Sequence, residues 1–225
     1  MKDTLLFKYN PEDSESIRQI GEILKSGGIV GIPTETVYGL AANAFDGEAV
    51  SKVFKAKGRP QDNPLIVHIS HISQLDEIVS SVSEEALKLA EKFWPGPLSV
   101  IMPKGEKIPD EVSCGLDTVA VRMPSHPAAR AVISAAGVPL AAPSANLSGS
   151  PSPTTAQHVI DDMWGRADAI LDGGSCAVGV ESTVISVVGE KPRLLRPGGI
   201  SVEQLESVLG EIEIDPAVLA ELKPE

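Results

Sequence analysis

The stretch Gly27-Gly28-Ile29-Val30-Gly31-Ile32-Pro33-Thr34-Glu35-Thr36-Val37-Tyr38-Gly39 decides the fold class. Ahead of it, Ile17, Ile20 and Leu24 recur at helical spacing over 16–26, and the two glycines stop that helix. Residues 29–32 form a short apolar strand ended by Pro33, and a polar segment follows directly. A helix, a strand and a polar loop in so few residues are the building unit of an α/β layered domain. The unit repeats along the chain. Asp46 is placed to cap a helix with Val50, Val53 and Phe54 on one face, which runs out at Lys57-Gly58. Strands are expected at 65–69, at 98–102 after Trp94-Pro95-Gly96-Pro97, at 119–122, 138–141 and 169–172, and in a closing pair at 184–188 and 194–196. Helical patterns fill 72–93, 127–136, the stretch from Thr154 or Thr155 to Met163, and 201–209, where Gly210 stops the last one. Beyond it, 211–225 is acidic and reads as a linker-like tail after a domain spanning 1–210.

Composition narrows the class of function. Of 225 residues, 42% are hydrophobic and only 4% aromatic, so the core is aliphatic, and 20 glycines with 18 prolines imply many tight turns. A net charge of −12 disfavours nonspecific binding to nucleic acid or anionic lipid. Cys114 and Cys176 form no metal-like pair, and two thiols in a chain of this length suit a reducing compartment. The first residues carry no apolar signal segment, and no apolar run approaches the roughly 18 residues that a membrane helix needs. A soluble, cytoplasmic protein that avoids membranes is expected.

Polar segments that follow apolar strands are where α/β sheets hold ligands. In the opening stretch, two threonines and a glutamate can bind a small polar molecule, or the segment is a turn with a threonine cap. Lys55, Lys57 and Arg59 lie within five residues, with glycine and proline fixing the backbone around them. They suit an anion clamp, or they compensate the dipole of a helix end. His68 lies inside Leu65-Ile66-Val67-His68-Ile69 as a ligand contact or a satisfied core residue. Thr118 and Arg122 share one face of a strand. Arg122 can meet a carboxylate of a substrate or of the protein itself. The small residues of 141–149 can cradle phosphate with amides and hydroxyls, or form an ordinary turn. Ser182 and Arg196 complete the set, with beginning and ending a strand as their ordinary roles. No P-loop, no dinucleotide-binding glycine motif and no zinc-spaced cluster is present in the sequence.

In order, PTETVYG (33–39), KGRPQDNPL (57–65), WPGPL (94–98), VRMP (121–124), PSANLSG (143–149), VESTV (180–184) and RPG (196–198) resemble the YrdC-like family of threonylcarbamoyl-AMP synthases, over roughly residues 17–210. The pairing of Lys57 and Arg59 with Ser144 and Asn146 is the most specific part. The resemblance implies an α/β (mixed α+β) fold, a twisted mixed parallel and antiparallel sheet flanked by helices around a deep, positively lined concave cavity. It implies a nucleotidyltransferase that makes L-threonylcarbamoyl-AMP and pyrophosphate from ATP, bicarbonate and L-threonine. A downstream threonylcarbamoyl transferase complex would then modify tRNA, which this chain meets only indirectly.

Carried over, Thr36, His68, Arg122 and Ser182 would surround threonine, with Ala142 adding backbone. Arg59, Asn63, Thr118, Ser144, Ser152 and Arg196 would hold ATP. Lys57 and Asn146 would complete the lining near the phosphates, and Lys57 and Arg59 would be the catalytic cations. Mg2+ would travel with the nucleotide, with no protein cage. Longer members of the family continue through a linker, whose tyrosine can cover the nucleotide, into a second domain. The only tyrosines here are Tyr9 and Tyr38, so a natural one-domain form or the first domain of a longer protein is expected. A double-stranded RNA-binding module and a carbamoyl-transfer domain are the alternatives.

Overall fold

Polar side chains cap the starts of most of the longer helices, glycines stop three of them, and the strands between are short. The structure, a computed structural model, describes residues 3–221. In chain order the elements are β1 (Leu5–Lys8), α1 (Ser14–Lys25), β2 (Val30–Ile32), β3 (Gly39–Asn43), α2 (Gly47–Lys57), β4 (Ile66–His68), a 3-10 turn (Ile72–Gln74), α3 (Leu75–Ile78), α4 (Glu84–Phe93) and β5 (Leu98–Pro103). There follow α5 (Asp110–Ser113), β6 (Thr118–Arg122), α6 (Pro127–Ala136), β7 (Leu140–Ala141), α7 (Ala156–Met163), β8 (Ala169–Asp172), β9 (Thr183–Ser186), β10 (Arg193–Arg196), α8 (Val202–Leu209), β11 (Glu213–Ile214) and α9 (Pro216–Glu221). Asp46 caps α2 by accepting the Ala49 amide at 3.1 Å, and Thr155 rather than Thr154 caps α7 through the His158 amide at 3.3 Å. Such a cap contributes about 1 kcal/mol.

The strands join in the order β1-β8-β2-β3-β7-β4-β6-β5-β9-β10-β11. Pairings β1–β8, β8–β2, β4–β6, β5–β9 and β10–β11 are parallel, and the other five are antiparallel. The mixed sheet flanked by helices is the architecture expected from the sequence. Alternation along the strands feeds two cores. Val30 and Ile32 of β2 pack with Ile20 and Leu24 of α1 and with Val132 and Ile133 of α6. The opposite face buries Val53 and Phe54 of α2, Val159 of α7, Val100 of β5 and Leu205 of α8.

Three expectations are corrected. The strand β3 was not read, because the segment after Pro33 looks like loop until Leu40, Ala41 and Ala42 prove fully buried. The helical pattern over 72–93 breaks into the 3-10 turn, α3 and α4, with Val79 between them bridging Lys104. The supposed linker is structured over 211–221. There Ile212 and Val218 are buried, β11 extends the sheet, and Glu213 pairs with Arg193 at 2.8 Å. Glu211 and Glu213 face outward while Ile212 and Val218 reach the core, and Leu219 stays exposed. The remainder of that tail, residues 222–225, lies outside the described residues.

Candidate active site

Parallel pairing of β4 and β6 puts His68 and Arg122 in register, side by side where the two strands end. Neighbouring connections arrive at the same edge. β2 runs into 33–39, β7 runs into the 142–149 loop, and Gly39 bridges Ser144 to join those loops. The start of β9 brings Ser182, and the end of β10 brings Arg196. Together they bound a cleft of about 190 Å³.

Of the residues expected at the site, Thr36, Arg59, Asn63, His68, Arg122, Ala142, Ser144, Ser182 and Arg196 line this cleft. Thr34, the other threonine of the opening stretch, lines it too, and so does Glu181, to which the sequence assigns no role. Arg122 is buried and triply held. Its Nε donates to Gly96 O at 3.2 Å and its Nη1 to Thr36 Oγ1 at 2.9 Å, while its Nη2 stands 2.6 Å from Glu35 Oε1. Burial alone would raise the Glu35 carboxyl, but the adjacent guanidinium outweighs it and holds the group below its ordinary value. Arg122 thus meets a carboxylate of the protein, one of the two options the sequence left open.

His68 places Nδ1 3.0 Å from Ile66 O, and burial, then repulsion from Arg122, pulls its pKa down to about 4. It is therefore neutral near pH 7. Ser182 Oγ lies 2.8 Å from Ser99 Oγ and accepts from Arg196 Nη2 at 3.1 Å. Arg196 also donates from Nε and Nη2 to the Ser182 carbonyl at 3.0 and 2.9 Å. The tight packing of this corner explains the glycine of RPG. A Cβ on Gly198 would stand 2.5 Å from the Thr183 nitrogen and 2.6 Å from the Ser182 carbonyl carbon. Arg59 lies 5.7 Å above the Phe54 ring and donates to Asn63 O at 3.0 Å, just beyond the left-handed Gly58 (φ 62°) that ends α2.

Four of the expected residues do not line the cleft. Lys57 is buried behind its wall, where Nζ donates to the Ser144 carbonyl and, at 2.6 Å, to Asn146 O. Burial, then repulsion from Arg59, lowers its pKa to about 8. Asn146 is turned inward, donating to Ser150 O at 2.7 Å and to Leu147 O at 2.9 Å. These two shape the 143–149 loop from behind. Ser152 reaches the site through Glu181, donating to its Oε1 at 3.0 Å. Thr118 stands at the opposite end of β6 from Arg122. Among the described residues no group of three or more His, Cys, Asp or Glu could hold a metal ion.

A family model described as "Telomere recombination", covering Sua5, YciO and YrdC, matches residues 22–198. The threonylcarbamoyl-AMP synthase of Pyrococcus abyssi is 53% identical over 202 residues, which are 90% of this chain and 59% of that protein. The threonylcarbamoyl-AMP synthase of Bacillus subtilis is 54% identical over 200 residues, 88% of this chain and 58% of that protein. The crystal structure of P. abyssi Sua5 complexed with L-threonine superposes with a TM-score of 0.92 at 50% identity, covering 96% of this chain and 63% of that one. The chain thus spans less than two thirds of the length of these relatives.

Proposed function

The chain belongs to the Sua5–YciO–YrdC family, and from that premise we propose that it carries the adenylating site of a threonylcarbamoyl-AMP synthase. The observation that carries the proposal is the convergence of Arg59, Arg122 and Arg196 on one cleft, in a protein of net charge −12. Three of the 19 lysines and arginines of an acidic chain, brought to one cleft, offer donors to an anionic ligand. The two ends of the cleft differ. Arg122, Thr36, His68 and Ser182 form a buried corner suited to a small polar amino acid. Arg59, Asn63, Ser144 and Arg196 form a more open, basic rim suited to a triphosphate.

In this reading the threonine amine condenses with bicarbonate to a carbamate, with loss of water. The carbamate oxygen attacks the α-phosphorus of ATP, that P–O bond forms, and the bond to the leaving pyrophosphate breaks. No covalent link to the protein is needed. The chain's own groups hold the reactants in line and stabilise the negative charge that develops, Arg59 and Arg196 as donors to phosphate oxygens. Neutral His68 can share a hydrogen bond with threonine without carrying charge into the buried corner. Mg2+ would arrive bound to the nucleotide. The downstream transferase and its tRNA, and a cytoplasmic location, belong to the same proposal. No helix among the described residues is long and apolar enough to cross a membrane.

The test is product analysis by mass spectrometry after incubation with ATP, Mg2+, bicarbonate and one amino acid at a time. Threonylcarbamoyl-AMP and pyrophosphate should form only with bicarbonate present. Serine should react less, since losing one methyl costs about 1–3 kcal/mol of discrimination. Valine should react least, because it leaves buried polar groups unpaired. Equal release with valine, or release without bicarbonate, would overturn the reading.

A further inference from the structure

A guanidinium has five N–H groups in a rigid fork. In Arg122, Gly96 O takes the Nε hydrogen and Thr36 Oγ1 takes one from Nη1. The third anchor is different in kind. Nη2 and Glu35 Oε1 form a close ion pair, 2.6 Å apart, and neither atom has another hydrogen-bond partner among the described residues. Glu35 therefore holds Arg122 by charge at Nη2, and of the five N–H groups the second on Nη1 and one on Nη2 have no acceptor among the described residues. The carboxylate is itself fixed, because its Oε2 accepts the Ser125 amide at 3.1 Å. Both side chains are almost completely enclosed, at 4% and 9% exposure. Arg122 lines the cleft and Glu35 does not.

From this arrangement we propose that Glu35 is the positioning residue of the amino-acid end of the cleft. It orients the Arg122 fork so that its uncommitted N–H groups meet the threonine carboxylate, and it cancels the buried positive charge. The Glu35–Arg122 pair is formally neutral, so that end accepts a zwitterion, while the basic rim around Arg59 and Arg196 accepts phosphate. Glu35 acts only through Arg122. This inference deepens the function proposed above and rests on it. Its signature is selective: loss of Glu35 turns or unseats the fork and weakens threonine binding, and the phosphate end is untouched.

The experiment measures, by isothermal titration calorimetry on the full chain, the binding of L-threonine and of a non-hydrolysable ATP analogue to wild type, Glu35→Gln and Glu35→Asp. Glutamine keeps the size and an acceptor for Ser125, but it removes the charge that holds Nη2. Glu35→Gln should weaken threonine binding at least about tenfold and change analogue binding less than about threefold, both thresholds set by the roughly 1.4 kcal/mol that a tenfold change represents. Glu35→Asp keeps the charge one methylene short of Nη2 and should lose less, about threefold for threonine alone. Equal weakening toward both ligands would assign Glu35 a merely structural role and overturn the proposal, as would unchanged threonine binding in either variant. If Glu35→Gln does not fold, the aspartate variant decides by the same selectivity. A wild-type chain that binds no threonine overturns the functional reading and this proposal with it. Wild-type binding with unaltered variants overturns only the role of Glu35.

Discussion

Glu181 stands 2.6 Å from Arg196, and its second carboxylate oxygen accepts the Ser152 hydroxyl at 3.0 Å. One carboxylate thus occupies both of the groups at this corner that the family resemblance gives to ATP. A phosphate arriving there competes with Glu181 for its donors. Glu181→Gln removes the competing charge, and at 38% exposure the pair is worth no more than about 1 kcal/mol. The variant should bind an ATP analogue up to about fivefold more tightly, most visibly at low salt. Titration calorimetry checks the sign, and weaker binding would show that Glu181 serves the nucleotide directly.

Arg59 is the cation best placed to act on phosphate without supporting the fold. Its side chain donates to one backbone carbonyl and lies over the face of Phe54. A partly exposed cation–π contact contributes about 0.5–1 kcal/mol. Loss of a donor that strengthens in the transition state costs about 2.7–4 kcal/mol in rate. Arg59→Ala should therefore release pyrophosphate at least about a hundredfold more slowly, with a melting temperature close to that of wild type. Full turnover in the variant would remove Arg59 from the catalytic set, and a large fall in melting temperature would make its role structural.

His68 offers a test through pH. Its pKa falls from 6.5 to about 4 in the folded chain, through burial first and Arg122 second. Below pH 6.5 the unfolded chain binds the proton more readily than the folded one. The stability His68 contributes is thus present above pH 6.5 and lost as pH falls toward 4. By linkage the loss is on the order of 2–4 kcal/mol. His68→Asn keeps a donor for Ile66 O and does not titrate. Urea unfolding at pH 7 and pH 4.5 should show wild type losing more stability than this variant. Equal losses would mean that His68 is protonated in the folded state.

The sequence is legible where local chemistry decides the structure. Thr36, the strand before Pro33, the helix from Asp46 and the left-handed Gly58 follow from short-range rules of strands, caps and stops. The ion pair between Glu35 and Arg122 joins residues 86 apart or more along the chain, as does the bond from Thr36 to Arg122. No local pattern could reveal such a pairing before the sheet order was known. Glu181 was hidden for the same reason, since its partners Ser152 and Arg196 come from a distant loop and from the end of β10. Lys57 is a case where a signal existed. It lies seven residues after Val50, on the face that also carries Val53 and Phe54, and that spacing points it inward. Its place beside Lys55 and Arg59 in the last turn of a helix suggested an anion clamp, or an ordinary dipole-compensating cation, instead.

Lys57 supports the last prediction, which separates shaping the site from acting in it. Its ammonium fastens the carbonyls of Ser144 and Asn146 from behind, and Ser144 on that loop faces the cleft. Lys57→Met keeps the length of the side chain and removes the donors, leaving two carbonyls without this partner. An unsatisfied buried acceptor costs about 1–3 kcal/mol, so the melting temperature should fall by several degrees. Binding of an ATP analogue should weaken with it, because the loop relaxes. The sign of the pH effect is fixed by the pKa, which falls from 10.5 to about 8 on folding. Below pH 8 the folded chain bears the full cost of keeping the buried ammonium charged. Between pH 8 and 10.5 the folded chain holds fewer protons than the unfolded one, so that cost is relieved as pH rises. The stability difference, wild type minus Lys57→Met, should therefore grow from pH 8 to pH 10. Urea unfolding of both proteins across that range measures it. A difference that does not change with pH, in a variant whose melting temperature matches wild type, would mean that Lys57 is not buried against the loop, and would return it to the catalytic role that its place beside Arg59 suggested.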